Sequence, residues 1–211
     1  LFVQPDTKSF VLMLGAGGAM LFVSGVPWKY ILGVVLLGVV GVAILAMTNG
    51  YIRDRLTTFV DPSSDPQGSS YQLQQSLIAI GSGGIAGKGF GQSVQKFSYL
   101  PEPQGDSVFA VVGEEFGFIG GVVILMLYLG FMFRGFRIAN RAPDLFGRLL
   151  TVGIISLITF QAFMNIASIT GVIPLTGVPL PFISHGGTSL MITLFAVGIV
   201  LSISRHQKEP Q

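Results

Sequence analysis

Charge is scarce in this chain: Lys, Arg, Asp and Glu make up 10% of its 211 residues, where a soluble domain carries about a quarter. The charges also leave long stretches untouched. Ser9–Trp28, Tyr30–Ile52, Phe116–Phe133, Leu149–Ser184 and Gly186–Ser204 contain none of the four residue types. A helix rising about 1.5 Å per residue needs about 20 such residues to cross the hydrocarbon core of a bilayer, so five stretches qualify. A soluble protein with long core helices is the alternative, but such helices carry a polar face, and these carry none. Cysteine is absent, which excludes disulfides and thiolate metal sites. The net charge is only +2, with Lys and Arg dispersed, which argues against a nucleic-acid surface. What is plentiful is apolar: half the residues are hydrophobic and the mean hydropathy is +0.71. The chain opens at Leu1 without Met, and the expectation is a piece of a longer protein with further spanning helices ahead of it.

The pattern predicts an all-α integral membrane protein, a single membrane domain over residues 1–211. Its spans are expected at about 9–25, 30–48, 108–133, 149–171 and 187–204, with one long polar loop over 49–107. Turn formers separate the spans: Val26-Pro27-Trp28-Lys29, Asn49-Gly50, and Pro174, Gly177, Pro179 and Pro181. Lys29, Arg134, Arg137, Arg141, Arg148, Arg205 and Lys208 collect on one side. Lys8, Arg53, Arg55, Lys88 and Lys96 fall on the other. The positive-inside tendency makes the first side cytoplasmic, together with the C-terminus, and the long loop external. Gly113, Gly117 and Gly121 recur every four residues, a spacing that lets another helix approach closely.

The loop holds most of the chemistry. In Tyr71–Ile80, Leu73, Leu77 and Ile80 sit at helical spacing, as in a short helix lying in the membrane interface. Gly81-Ser-Gly-Gly-Ile-Ala86 fits Gly-x-Gly-x-x-Ala but follows no strand, and Ser82 and Gly89 break the phosphate-loop pattern. Two readings stay open for the glycines around Lys88: a flexible loop, or backbone N–H groups free to approach a phosphate. Tyr99-Leu-Pro-Glu-Pro-Gln-Gly-Asp106 is followed by Glu114 and Glu115 at the entry of the third span. Carboxylates inside a span are costly unless paired or facing water, and so mark functional cavities. Glu114 and Glu115 project about 100° apart on a helix, so only one of them need face a cavity. Asp106, just outside the hydrocarbon, can take a proton from a hydroxyl or cap the helix that follows.

Several segments resemble the FtsW, RodA and SpoVE (SEDS) family. They are Asp61-Pro-Ser-Ser-Asp-Pro-Gln-Gly-Ser-Ser-Tyr-Gln-Leu-Gln-Gln-Ser-Leu-Ile-Ala-Ile-Gly-Ser-Gly-Gly84, Gly87-Lys-Gly-Phe-Gly-Gln-Ser93, Tyr99-Leu-Pro-Glu102, Asp106-Ser-Val-Phe-Ala110, Gly113-Glu-Glu-Phe-Gly117 and Leu180-Pro-Phe-Ile-Ser-His-Gly-Gly187. They keep the family's order from Asp61 onward, and the FtsW-like branch looks closer. The resemblance implies the C-terminal half of a ten-helix fold in the bacterial cytoplasmic membrane. The implied activity is a peptidoglycan glycosyltransferase that polymerises lipid II and releases undecaprenyl pyrophosphate, in division or elongation. A class B penicillin-binding transpeptidase and other divisome or elongasome proteins are its implied partners. It also places the family's catalytic aspartate on Asp106. The α-linked donor becomes a β-linked product, so one inversion by a single base suffices. Charge gathering on the pyrophosphate calls for cations; Lys88 and Lys96 are best placed, with Arg53 and Arg55 behind them. Gln92, Glu102, Glu114, Glu115, Ser184 and His185 are further candidates for binding substrate. A divalent cation, Mg or Mn, fits the chemistry, but no ligand spacing identifies a metal site.

The chain departs from the family pattern in places. Pro5-Asp-Thr-Lys-Ser9 stands where Pro-Asp-Leu-Gly-Thr is usual, leaving Asp6 without a clear role. Gln104-Gly105 replaces a common His-Thr pair, and Ser184-His185-Gly186-Gly187 a common Ser-Tyr-Gly-Gly. Two other functions compete: a lipid II transporter, whose interrupted, Gly-rich spans would look similar, and a scaffold for the transpeptidase.

Overall fold

The computed structural model describes residues 7–48, 50, 59 and 69–206. Asp6, Arg53, Arg55, Lys208 and the segment 61–68 lie outside the described residues. Every regular element among the described residues is a helix: α1 (Thr7–Val23), α2 (Trp28–Thr48), α3 (Ser69–Gly83), α4 (Gln95–Ser98), α5 (Val108–Asn140), α6 (Leu145–Ile169) and α7 (Gly187–Arg205). Among the described residues α5, α6 and α7 are long and apolar enough to cross a membrane, while Lys8–Val23 and Trp28–Gly38 are shorter apolar helices. The chain is a multi-pass membrane protein.

The helix ends explain where the spans differ from those expected. α5 runs on to Asn140 because Arg134 and Arg137 are good helix formers once outside hydrocarbon. It stops just ahead of Pro143, which disfavours helix in the residue before it. α6 begins earlier than Leu149 because Asp144 Oδ1 accepts the Gly147 N–H at 3.3 Å, an N-cap. It closes on Gly171 at φ 74°, with the N–H of Val172 on Ala167 O at 2.9 Å and that of Gly171 on Ser168 O at 3.2 Å. This is the double bond pattern that satisfies the last carbonyls of a helix.

The chain divides into two compact units. The first holds α1, the start of α2, α5 from Tyr128, α6 up to Phe160, and α7. Its contacts put glycine against a bulky side chain. A Cβ at Gly15 would stand 3.0 Å from Phe160, and one at Gly153 2.8 Å from Met20 Sδ; Gly38 faces Leu14 and Gly135 faces Ile155 in the same way. Small residues let helices approach where no water is available to drive burial. Ile138, Ile155 and Val200 form a buried cluster, with Phe131 and Ile154 packed on it.

The second unit spans 45–127 and 161–186, and so holds α3, α4, the first part of α5 and the end of α6. α3 is longer than the expected 71–80 and buries Ser70, Leu73, Ser76, Ala79 and Gly83, while Leu77 and Ile78 stay exposed. Of the apolar positions expected at helical spacing, Leu73 is covered, Ile80 half-buried and Leu77 exposed, and the covered stripe is otherwise of small residues. The reason is close packing on α5: Ile80 lies against Gly113, and a Cβ at Gly83 would collide with the Gly113 carbonyl.

Candidate active site

The glycine-rich segment after α3 is built into α5. Gly117 takes φ 66°, ψ −161°, a conformation open to glycine alone, and breaks the helix. An unbroken helix would send the N–H groups of Phe118 and Ile119 to the carbonyls of Glu114 and Glu115. Here they donate to Gly84 O at 2.9 Å and Ile85 O at 3.2 Å, while the vacated carbonyls accept from the N–H groups of Lys88 and Gly89, each at 3.0 Å. Four backbone bonds to the loop stand in place of two helical ones. Gly117 is nine residues beyond Val108, roughly 14 Å along the axis, so the loop is bonded to α5 well inside the helix rather than at its end.

That arrangement bears on two expectations. The 84–91 segment is bonded to α5 rather than loose, and three of its N–H groups are already used: those of Lys88 and Gly89 on the Glu114 and Glu115 carbonyls, and that of Gly87 on Gly83 O. The close approach expected at Gly113, Gly117 and Gly121 occurs at the first two, against Ile80 and Gly83 of α3 and against the backbone of Ile85 and Gly87, while the helix breaks at Gly117.

The same segment brings the two intramembrane acids their partners. Glu114 is wholly buried. Its oxygens accept from Lys88 Nζ at 2.7 Å, Ser93 Oγ at 2.6 Å, and the N–H groups of Val94 at 3.2 Å and Gln95 at 3.3 Å. Four donors on two carboxylate oxygens form a complete shell, which a buried charge requires. Glu115 takes Lys96 Nζ at 2.6 Å. One residue apart, the two acids have separate roles: Glu114 closes the interior, and Glu115 lines a cavity.

This cavity, of about 600 Å³, is walled by Lys96, Phe97, Pro103, Gln104, Val108, Val111, Glu115, Ile183 and His185. Asp106 is half-buried between Gln104 and Val108, both in that wall. Its segment is held by backbone capture. The N–H of His185 donates to Gln104 O at 2.7 Å, Ser184 Oγ to Gly105 O at 2.7 Å, and Asn165 Nδ2 to Asp106 O at 2.7 Å. Three successive carbonyls are thus each bound from α6 or the loop after it. Beside them, Ser107 sits just ahead of α5 and offers its carbonyl to the N–H of Ala110 at 2.9 Å, so the capping position falls on Ser107 rather than Asp106. Ser107 Oγ donates to Pro101 O at 2.9 Å and accepts from Gln72 Nε2 at 3.0 Å, which ties α3 in. The positive-φ residues other than glycine among those described are Glu102 (φ 46°) and Phe182 (φ 66°), one in each of the joined segments. Such strain persists only where the surroundings impose it, and it collects at functional sites.

Of the candidates named from sequence, Lys96, Glu115 and His185 line the cavity. Lys88, itself exposed, pairs with the buried Glu114, and neither is in that lining; Ser184 is spent on backbone, also accepting the Leu180 N–H at 2.7 Å. Gln92 and Glu102 are exposed and outside the lining. Among the described residues no three His, Asp or Glu side chains come together as a metal cage. Sequence reading missed Ser93, Asn165 and Gln161, whose Nε2 donates to Pro179 O at 3.0 Å. A signal for two of them existed: Gln161 and Asn165 are the amides in an otherwise charge-free run, four residues apart on one helix face.

A family model described as "Cell cycle protein", covering FtsW, RodA and SpoVE, matches residues 1–209. The chain belongs to this family. It is 46% identical over 208 residues to stage V sporulation protein E of Bacillus subtilis, covering 99% of the chain and 57% of that relative. It is 44% identical to the probable peptidoglycan glycosyltransferase FtsW of Geobacter metallireducens, covering 99% of the chain and 56% of that relative. The chain thus spans just over half the length of these relatives, and the two identities are too close to separate a sporulation from a division branch. A solved structure described as "Structural coordination of polymerization and crosslinking by a peptidoglycan synthase complex" superposes with a TM-score of 0.74. It shares 31% identity, with all of this chain and 59% of that one covered.

Proposed function

We propose that the full-length protein is a peptidoglycan glycosyltransferase that joins lipid II units and releases undecaprenyl pyrophosphate, with Asp106 as the base. One observation carries the assignment of the base: the backbone around Asp106 is clamped at three consecutive carbonyls beside a cavity that holds an ion pair. A base acting in a single inverting displacement needs only reach and fixed orientation toward the acceptor hydroxyl. The names of the FtsW-type relatives supply the reaction class.

In this reading Lys96 faces the pyrophosphate. Its ammonium has three donors, so it can bond a phosphate oxygen while keeping Glu115. His185 and Gln104 contact the sugars from the opposite wall. Lys88 and Glu114 hold the re-entrant segment in place. The loop side of the membrane is external and the basic side, with the C-terminus, cytoplasmic. A class B transpeptidase is the proposed partner, in line with the pairing of polymerisation and crosslinking in the related complex.

The break of α5 at Gly117 favours a second reading, transport of lipid II, because interrupted spans also build transporter sites. Purified full-length protein with lipid II in detergent, with and without the transpeptidase, separates the two. Glycan strands on a gel that vanish in Asp106→Ala support the polymerase. Translocation in vesicles without any polymer would favour transport.

A further inference from the structure

We infer that Asn165 is a positioning residue that sets where the Asp106 carboxylate stands. The inference rests on Asp106 acting as the base. Asn165 is wholly buried on α6, and both hydrogens of its amide are used: Nδ2 donates to Asp106 O and to Val178 O, each at 2.7 Å. Two carbonyls facing one end of the side chain identify that end as the nitrogen.

The turn that ends in Asp106 is only partly held by itself: the N–H groups of Gly105 and Ser107 both donate to Glu102 O, at 3.0 and 3.2 Å. Residues 101–107 form bends and turns rather than helix, with Glu102 held at φ 46°. The carbonyls of Gln104, Gly105 and Asp106 take donors from outside: the His185 N–H, the Ser184 hydroxyl and Asn165 Nδ2 on α6. Among them Asn165 alone projects from a long helix, bonds the residue that carries the base, and ties that residue to the loop behind Ser184. Gln161, one turn earlier, bonds Pro179 O and braces the same loop. Ser184 and His185 act one and two residues upstream of Asp106 and respond to wherever that loop sits. A rigid spanning helix is thus the reference against which the base is placed.

The test uses the full-length protein with lipid II and its transpeptidase. Asn165→Ala removes both donors and is expected to lower kcat about tenfold to a hundredfold, with KM for lipid II within about twofold. Asn165→Asp keeps the shape but presents a carboxyl that donates only when protonated. Its rate relative to the unchanged protein therefore rises as pH falls. A readout independent of catalysis is the maleimide reaction rate of a thiol introduced by Asp106→Cys, in protein with any other cysteines replaced. Adding Asn165→Ala should shift that rate several-fold. An unchanged kcat together with an unchanged labelling rate would overturn the inference, as would equal losses through KM alone. If Asn165→Ala does not fold, a flat pH ratio for Asn165→Asp overturns it instead. Polymerisation that survives Asp106→Ala sinks the assignment of the base, while the labelling shift still reports whether Asn165 holds residue 106.

Discussion

The two compact units solve the same problem, holding helices together in lipid, by opposite means. In the first, glycines at 15, 38, 135 and 153 sit against Phe160, Leu14, Ile155 and Met20, and cohesion is apolar contact. In the second, a helix is opened at Gly117, four backbone bonds to a loop stand in place of two helical ones, and two buried glutamates are each paired with a more accessible lysine. Apolar packing tolerates small shifts because the far ends of flexible side chains can give. A polar network in a medium without water does not, since each broken bond leaves a group unsatisfied. The second arrangement is the costlier way to build, and it surrounds the cavity.

The comparison can be broken in four places. The largest effect is expected at the base: Asp106→Asn should cut lipid II polymerisation by about 10²–10⁴-fold, read as loss of glycan strands, with the melting temperature retained. Next, Glu114→Ala leaves Lys88, Ser93 and two backbone N–H groups facing an empty shell. Because Lys88 is exposed, the cost falls on the buried Ser93 hydroxyl and the two N–H groups, and should be about 3 kcal/mol, measured as a lowered unfolding midpoint in detergent. Gly117→Ala forces a side chain into φ 66° and onto the backbone at Ile85 and Gly87, which should cost about 2–4 kcal/mol by the same measurement. The smallest effect is expected in the first unit. Gly153→Ala meets only Met20, a flexible side chain that can swing aside, at about 1 kcal/mol. If Gly153→Ala proves as damaging as Glu114→Ala, the contrast between the units is wrong.

Much of the scaffold was legible in advance because the bilayer imposes it. A run without charge is long enough to span or it is not, and α5, α6 and α7 each contain or overlap one, though only α7 keeps close to its ends. Boundaries slipped where local chemistry intervened: the Asp144 cap starts α6 early, and Arg134 and Arg137 carry α5 past the last apolar residue. In the site, Glu114 and Glu115 were readable as costly acids, and their division of labour followed from the 100° between neighbours on a helix. Their partners were not readable. Lys88 is 26 residues from Glu114 and Ser93 is 21, and nothing local links them.

Sequence alone thus determined the class of the molecule, three of the five expected spans and its family, because hydrophobic length and ordered motifs are properties of the chain itself. Only the tertiary structure decided that the glycine-rich loop is stitched into a broken helix rather than left loose. It also decided that Lys88 and Lys96 each face a carboxylate, and that Asn165, 59 residues away, holds the Asp106 carbonyl. The physical reason is that a buried polar group takes whatever partner the packing brings within about 3 Å, and sequence separation has no bearing on that distance.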